Sequence, residues 1–140
     1  MTIKSALASY LKSKPELVAL VSDRIWPVAL PQKKPRPAIT YRRLPSGHDH
    51  TLTSSAGTSL ATFRIASYGD SYEDADLVAE AVRSVMQGFS GVFVSTKVNS
   101  VVLGDESDDF FEPQDGSSLG VYVVNLDFRI RYAESIPQFN

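Results

Sequence analysis

The sequence predicts an α+β fold: an antiparallel sheet of about four strands, two main helices packed on one face, and long projecting loops. Three observations predict it. Residues 121–132 read Val-Tyr-Val-Val-Asn-Leu-Asp-Phe-Arg-Ile-Arg-Tyr, with Tyr122, Val124, Leu126, Phe128, Ile130 and Tyr132 on alternate positions. Asn125, Asp127, Arg129 and Arg131 fill the gaps. Strand side chains alternate between faces, so this reads as a long strand with one apolar and one wet face. In residues 71–87, by contrast, Ala75, Val78, Ala79, Val82, Val85 and Met86 recur at helical spacing. Finally, one-sided burial of the strand is the mark of an antiparallel sheet covered by helices on a single side.

The elements follow in order. Ile3, Leu7, Tyr10 and Leu11 place a helix over 3–13, with Thr2 as its N-cap. Pro15 suits the first position of a short second helical turn that packs through Leu17, Val18, Leu20 and Val21. Asp23 to Trp26 lead into a short extended piece. Residues 27–37 hold Pro27, Pro31, Pro35 and Pro37 with Lys33, Lys34 and Arg36 between them, which excludes helix interior and central strand and predicts a solvated arm.

A first full strand is expected over 38–44 and a second over 58–68, ended by Gly69. The 45–57 connection is longer than a tight turn. Ser71 caps the 71–87 helix, and Glu73, Asp74 and Asp76 suit its positive N-terminus, with Gly88 as the stop. Short strands are expected at 92–94 and 98–103, then an acidic, turn-rich loop over 104–120. Hairpin pairing joins 38–44 with 58–68 and 98–103 with 121–132, so that both long connections project from the sheet.

A chain of 140 residues, 43% apolar, is one domain, residues 1–140, with a real core. Basic and acidic residues number 14 and 16, a net charge of -2, which disfavours an electrostatic grip on nucleic acid. The chain has no cysteine, hence no disulfide framework or thiolate metal site. The N-terminus lacks the apolar core of a signal peptide, and no apolar run approaches the roughly 20 residues of a membrane span, so synthesis in the cytoplasm is expected.

Three constellations could carry chemistry. His48-Asp49-His50 could offer metal ligands, but histidines at i and i+2 need a distant third ligand, which here could only be another carboxylate. Clustered carboxylates at Asp105, Glu106, Asp108, Asp109 and Glu112 could hold a divalent ion, although their spacing is not that of a calcium loop. A metal-dependent hydrolase or nuclease would use Asp105, Asp108 and Asp109 with His48 or His50. Lys33, Lys34, Arg36, Arg42 and Arg43 could meet phosphate or an acidic neighbour. There is no Gly-rich phosphate cradle, G-x-S-x-G elbow or H-E-x-x-H motif. No catalytic residue, metal ligand or cofactor is therefore assigned, and the expectation is a protein that is not an enzyme.

Three segments together resemble one known family. The first is the opening helix followed by Leu17-Val18-Ala19-Leu20-Val21-Ser22-Asp23-Arg24-Ile25-Trp26-Pro27. The second joins Phe63-Arg64-Ile65-Ala66-Ser67-Tyr68 to the helix Tyr72-Glu73-Asp74-Ala75-Asp76-Leu77-Val78-Ala79-Glu80-Ala81-Val82-Arg83. The third is Asp108-Asp109-Phe110-Phe111-Glu112-Pro113, ending in Leu126-Asp127-Phe128-Arg129-Ile130. In this order they resemble the tail completion (tail-to-head joining, or tail terminator) proteins of long-tailed bacteriophages and prophages.

The resemblance implies a virion subunit that forms a ring, usually of six, capping the tail tube and meeting the head connector. Its partners would be copies of itself, the tail tube protein and the head-connector protein. DNA would pass through without sequence-specific binding, and no membrane would be involved. On this reading Trp26, Phe110 and Phe111 are expected interface anchors, because aromatic side chains bury much area per contact. Arg42 and Arg43 are expected to face Asp105, Asp108 and Asp109 across subunits.

Overall fold

The computed structural model describes residues 2–31, 35–45, 58–112 and 120–133. Three helices, α1 (Ile3–Lys12), α2 (Pro15–Val21) and α3 (Tyr72–Met86), accompany six strands. The strands are β1 (Ile25–Pro27), β2 (Ala38–Leu44), β3 (Thr58–Gly69), β4 (Gly91–Phe93), β5 (Thr96–Phe111) and β6 (Val121–Ala133). They form one sheet in the order β1-β2-β3-β6-β5-β4.

The sheet is mixed, which corrects the expectation of four antiparallel strands. β1 runs parallel to β2, pairing Ile25 with Ile39 and Pro27 with Tyr41. All other pairings are antiparallel, and β2 with β3 and β5 with β6 pair as expected. The helical layer has three members rather than two, since the Pro15 turn closes a seven-residue helix of its own.

The apolar face of the long strand organises the core. Leu126, Phe128 and Ile130 are fully buried and cluster with Phe63 and Ile65 of β3 and Ile39 of β2. Helix α3 contributes the six predicted residues Ala75, Val78, Ala79, Val82, Val85 and Met86, all buried. Helices α1 and α2 add Leu7, Leu11, Leu17 and Val21. Each fully buried large side chain contributes about 1.5–3 kcal/mol over an exposed one. Tyr10 spans the layers: its hydroxyl donates to the Val85 carbonyl at 2.5 Å, and its ring lies 4.3 Å from that of Phe93.

The helix starts follow the sequence. The Thr2 hydroxyl accepts from the Ser5 amide, and the Ser71 hydroxyl accepts from the Asp74 amide, both at 3.1 Å. At the other end of α3, Gly88 adopts φ 76°, which an L side chain rarely takes. Its amide then donates to the Val101 carbonyl at 3.0 Å, while the Gln87 side chain accepts from the Leu103 amide at 2.7 Å. The end of α3 is thereby fastened to the outer edge of β5.

Two further expectations need correction. Residues 104–111 are strand rather than loop, because β5 continues in register with β6 as far as Phe111 opposite Val121. And the second face of β6 is not uniformly wet. Asn125 and Asp127 are 4% and 7% exposed, and Val123 is equally covered. Polar neighbours from β3 and β5 close over these two side chains, as described below. The 46–57 part of the long connection, with His48 and His50, lies outside the described residues, as do Lys33 and Lys34 of the arm.

Candidate assembly interface

Register across the sheet places four charges in one transverse row. Arg42 of β2 lies opposite Arg64 of β3, Arg64 opposite Asp127 of β6, and Asp127 opposite Asp105 of β5. Read from β2 to β5, the row is two cations followed by two anions. The central pair is bidentate, with Arg64 Nε donating to Asp127 Oδ1 at 2.8 Å and Nη2 to Oδ2 at 3.1 Å. Those hydrogen bonds raise the Arg64 pKa above the ordinary arginine value, and Asp109 and Asp105 add to the effect. Beside this pair, Asn125 Nδ2 donates to Asp109 Oδ2 at 2.9 Å and to Ser107 Oγ at 3.3 Å. These contacts satisfy the buried polar groups of β6.

The outer charges of the row have different surroundings. Arg42 and Arg43 are exposed and make no ion pair among the described residues. β1 pairs only as far as Tyr41, so Arg42–Leu44 has no strand on its outer side among the described residues. With Lys4 of α1 these arginines rim a cleft of about 160 Å³, whose other lining residues include Val28, Tyr41 and Phe63. Burial pushes the Tyr41 hydroxyl above its usual pKa.

On the far side, β4 pairs only with Thr96–Val98 of β5. The α3 end covers the β5 edge at Val101 and Leu103. Beyond Leu103 no described strand lies along that edge. This bare stretch carries Asp105, Glu106, Asp108, Asp109, Phe110, Phe111 and Glu112, all exposed. Alternation divides them. Asp105, Asp109 and Phe111 lie opposite Asp127, Val123 and Val121, on the polar face. Glu106, Asp108 and Phe110 lie opposite Leu126, Val124 and Tyr122, on the helix side.

There Asp108 accepts from the Tyr72 hydroxyl at 3.3 Å, and its charge raises the Tyr72 pKa. Glu106 pairs with Arg83 of α3. Phe110 packs on Tyr122 with ring centroids 4.8 Å apart. Phe111 makes no ring contact among the described residues and is 55% exposed.

The eight predicted interface residues thus fall at two separate places. Trp26, Arg42 and Arg43 lie on the β1–β2 side, with Trp26 only half-buried on its three-residue edge strand. Asp105, Asp108, Asp109, Phe110 and Phe111 lie on β5. Because the acids alternate between faces, Asp105 and Asp109 do not converge with Asp108 on one point. Among the described residues, no group of three or more His, Asp or Glu side chains is arranged to hold a metal ion. Sequence reasoning missed Lys4, Val28 and Arg64. Only the pairing register reveals that Arg64 stands between Arg42 and Asp127.

Comparison with known proteins places this α+β fold in a family of structural proteins of phage tails. The profile of the family described as tail completion protein gp17 matches residues 5–133, and the chain belongs to that family. No curated protein sequence matches it. Among solved structures, a chain from the "Virion of native gene transfer agent (GTA) particle" has the same fold, with a TM-score of 0.70 at 15% identity. The match covers 93% of each chain. Family membership gives the protein a structural role in assembly of the virion tail.

Proposed function

We propose that the chain is the repeating subunit of a ring, six copies around, that caps the finished tail tube and presents its other face to the head connector. The observation that carries this reading is the transverse charge row, cationic at β2 and anionic at β5, with a strand edge beyond each end that no strand among the described residues pairs. Arg42 and Asp105 are three strand spacings apart, about 14 Å, so they do not pair within one subunit. Unlike surfaces at two ends make head-to-tail contacts, and such contacts close into rings when the rotation permits. Trp26, Arg42 and Arg43 then belong to one contact surface, and Asp105, Asp108, Asp109, Phe110 and Phe111 to the other. DNA passes through the ring with no sequence read. The subunit is made in the host cytoplasm and ends in the virion tail.

Negative-stain electron microscopy and sedimentation of the purified protein, with and without tail tubes, test the proposal. Ring-shaped particles of uniform size are the expected result. A strict monomer at high concentration in both conditions would sink it. Alanine at both Phe110 and Phe111 weakens assembly and leaves the far-ultraviolet circular dichroism intact.

A further inference from the structure

We infer that the Lys4–Arg42–Arg43 cleft is the socket for Phe111 of a second copy of this chain. The inference rests on the ring reading and specifies its contact.

The cleft forms because β1 stops at Pro27 while β2 runs on to Leu44. Val28 turns away with φ 66°, held by its amide donating to the Tyr41 carbonyl at 2.9 Å. This exposes the end of the core, where buried Phe63 contributes to the lining, beside Val28 at 61% exposure. The volume of about 160 Å³ matches one phenyl ring: an engineered apolar cavity of about 150 Å³ takes benzene. Three cations, Lys4, Arg42 and Arg43, rim the opening, and none makes an ion pair among the described residues.

The matching knob lies at the other end of the sheet. Phe111 projects from the polar face at the tip of β5, whereas Phe110 is occupied by Tyr122. Its neighbours Asp109 and Glu112 are exposed acids. An aromatic ring flanked by carboxylates meets an apolar cleft flanked by cations, so shape and charge agree together. A second copy supplies this knob because each subunit's own tip is held on the far side of β3 and β6. Socket and knob are different surfaces, so the contact repeats head to tail.

The chain has no cysteine, so introduced thiols are unique. One preparation carries Val28→Cys and another Phe111→Cys. Mild oxidation of the mixture is expected to give a disulfide-linked dimer. Replacing the first with Leu77→Cys, on the exposed face of α3, gives none. Equal cross-linking from position 77, or no cross-link from position 28 in particles that have formed rings, overturns the socket and leaves the ring. If neither rings nor cross-links form under any condition, the ring reading falls and the socket falls with it.

Charge exchange supplies a second readout. Arg42→Glu with Arg43→Glu, and separately Asp109→Lys with Glu112→Lys, each lower self-association by about tenfold or more. Mixing the two variants restores it, because alternating copies place every acidic tip against a basic socket. Failure of the mixture to recover, with both variants folded by circular dichroism, overturns the inference.

Discussion

Arg64 and Asp127 face each other across the β3–β6 pairing in a two-pronged contact at 2.8 and 3.1 Å, at the centre of the row that runs from Arg42 to Asp105. The Asp127 side chain is 10% exposed and that of Arg64 37%. Removing Arg64 leaves a covered carboxylate unpaired, whereas removing the carboxylate leaves an arginine that reaches solvent. Arg64→Met is therefore expected to cost about 1–3 kcal/mol, and more than Asp127→Asn. Solvent screening at Arg64 limits the pair's coupling to about 1 kcal/mol in a double-mutant cycle followed by urea unfolding. An Asp127→Asn loss equal to or larger than that of Arg64→Met would contradict this asymmetry.

Gly69 ends β3 where the chain turns into α3. A Cβ there would lie 2.6 Å from the Ala75 backbone nitrogen and 2.9 Å from the Ser71 carbonyl oxygen. Backbone cannot yield as a flexible side chain does. Gly69→Ala should cost about 1–3 kcal/mol, read as a lower thermal midpoint. An unchanged midpoint would show that the strand-to-helix turn is looser than its geometry.

Burial raises the Tyr10 hydroxyl above the ordinary phenol value of 10.0, with Glu16 adding to the effect. A group whose folded pKa is raised stabilises the fold fully below its unfolded pKa, and that contribution is lost as pH rises through the folded value. As pH rises above the unfolded value of 10.0, wild-type stability should therefore fall more steeply than that of Tyr10→Phe, which has no proton to lose there. At neutral pH the variant should be weaker by about 1 kcal/mol, since the Val85 carbonyl loses its donor. Parallel denaturation series of the two proteins measure both differences, and identical slopes at high pH would refute the assignment.

If the subunits meet through Arg42 and Arg43 on one side and Asp109 and Glu112 on the other, association weakens with salt. Charges more than a Debye length apart are largely screened, and that length shrinks from about 10 Å at 0.1 M to about 3 Å at 1 M. Phe111→Ala should lower association at every salt concentration while keeping the salt slope, and Arg42→Glu with Arg43→Glu should flatten or reverse it. Sedimentation across a sodium chloride series reads both, and salt-independent association of the wild type would count against a charged contact.

Much of the scaffold was legible because local pattern and tertiary role coincide there. The alternation in β6, the helical spacing of Ala75 to Met86 and the caps at Thr2 and Ser71 all report backbone geometry directly. The β5 extension was illegible because Gly104, Asp105, Ser107, Asp108 and Asp109 have poor strand preference, and only the β6 ladder holds them extended. The short extended piece expected after Asp23 is β1, but three residues carry no periodic trace of their parallel pairing with β2. Alternation named Asn125 and Asp127 as polar but could not say that they are covered, since Arg64, Ser107 and Asp109 come from other strands. The acids and aromatics of the proposed interface were visible in the sequence, whereas their partition between faces was not.

That partition depends on the extra residue at Gly104, where β5 advances from Leu103 opposite Phe128 to Asp105 opposite Asp127. Because strand side chains have a period of two, a single unmatched residue inverts everything downstream. Were β5 to run on without that bulge, Asp105 would fall opposite Leu126 and Phe110 opposite Val121, turning Phe110 outward and folding Asp105, Asp109 and Phe111 under α3. The end of β5 therefore has a reading frame of its own: Gly104 can be lost without changing it, because Asp105 already faces Asp127, whereas one residue removed beyond Asp105 would turn the other side of the same sequence outward.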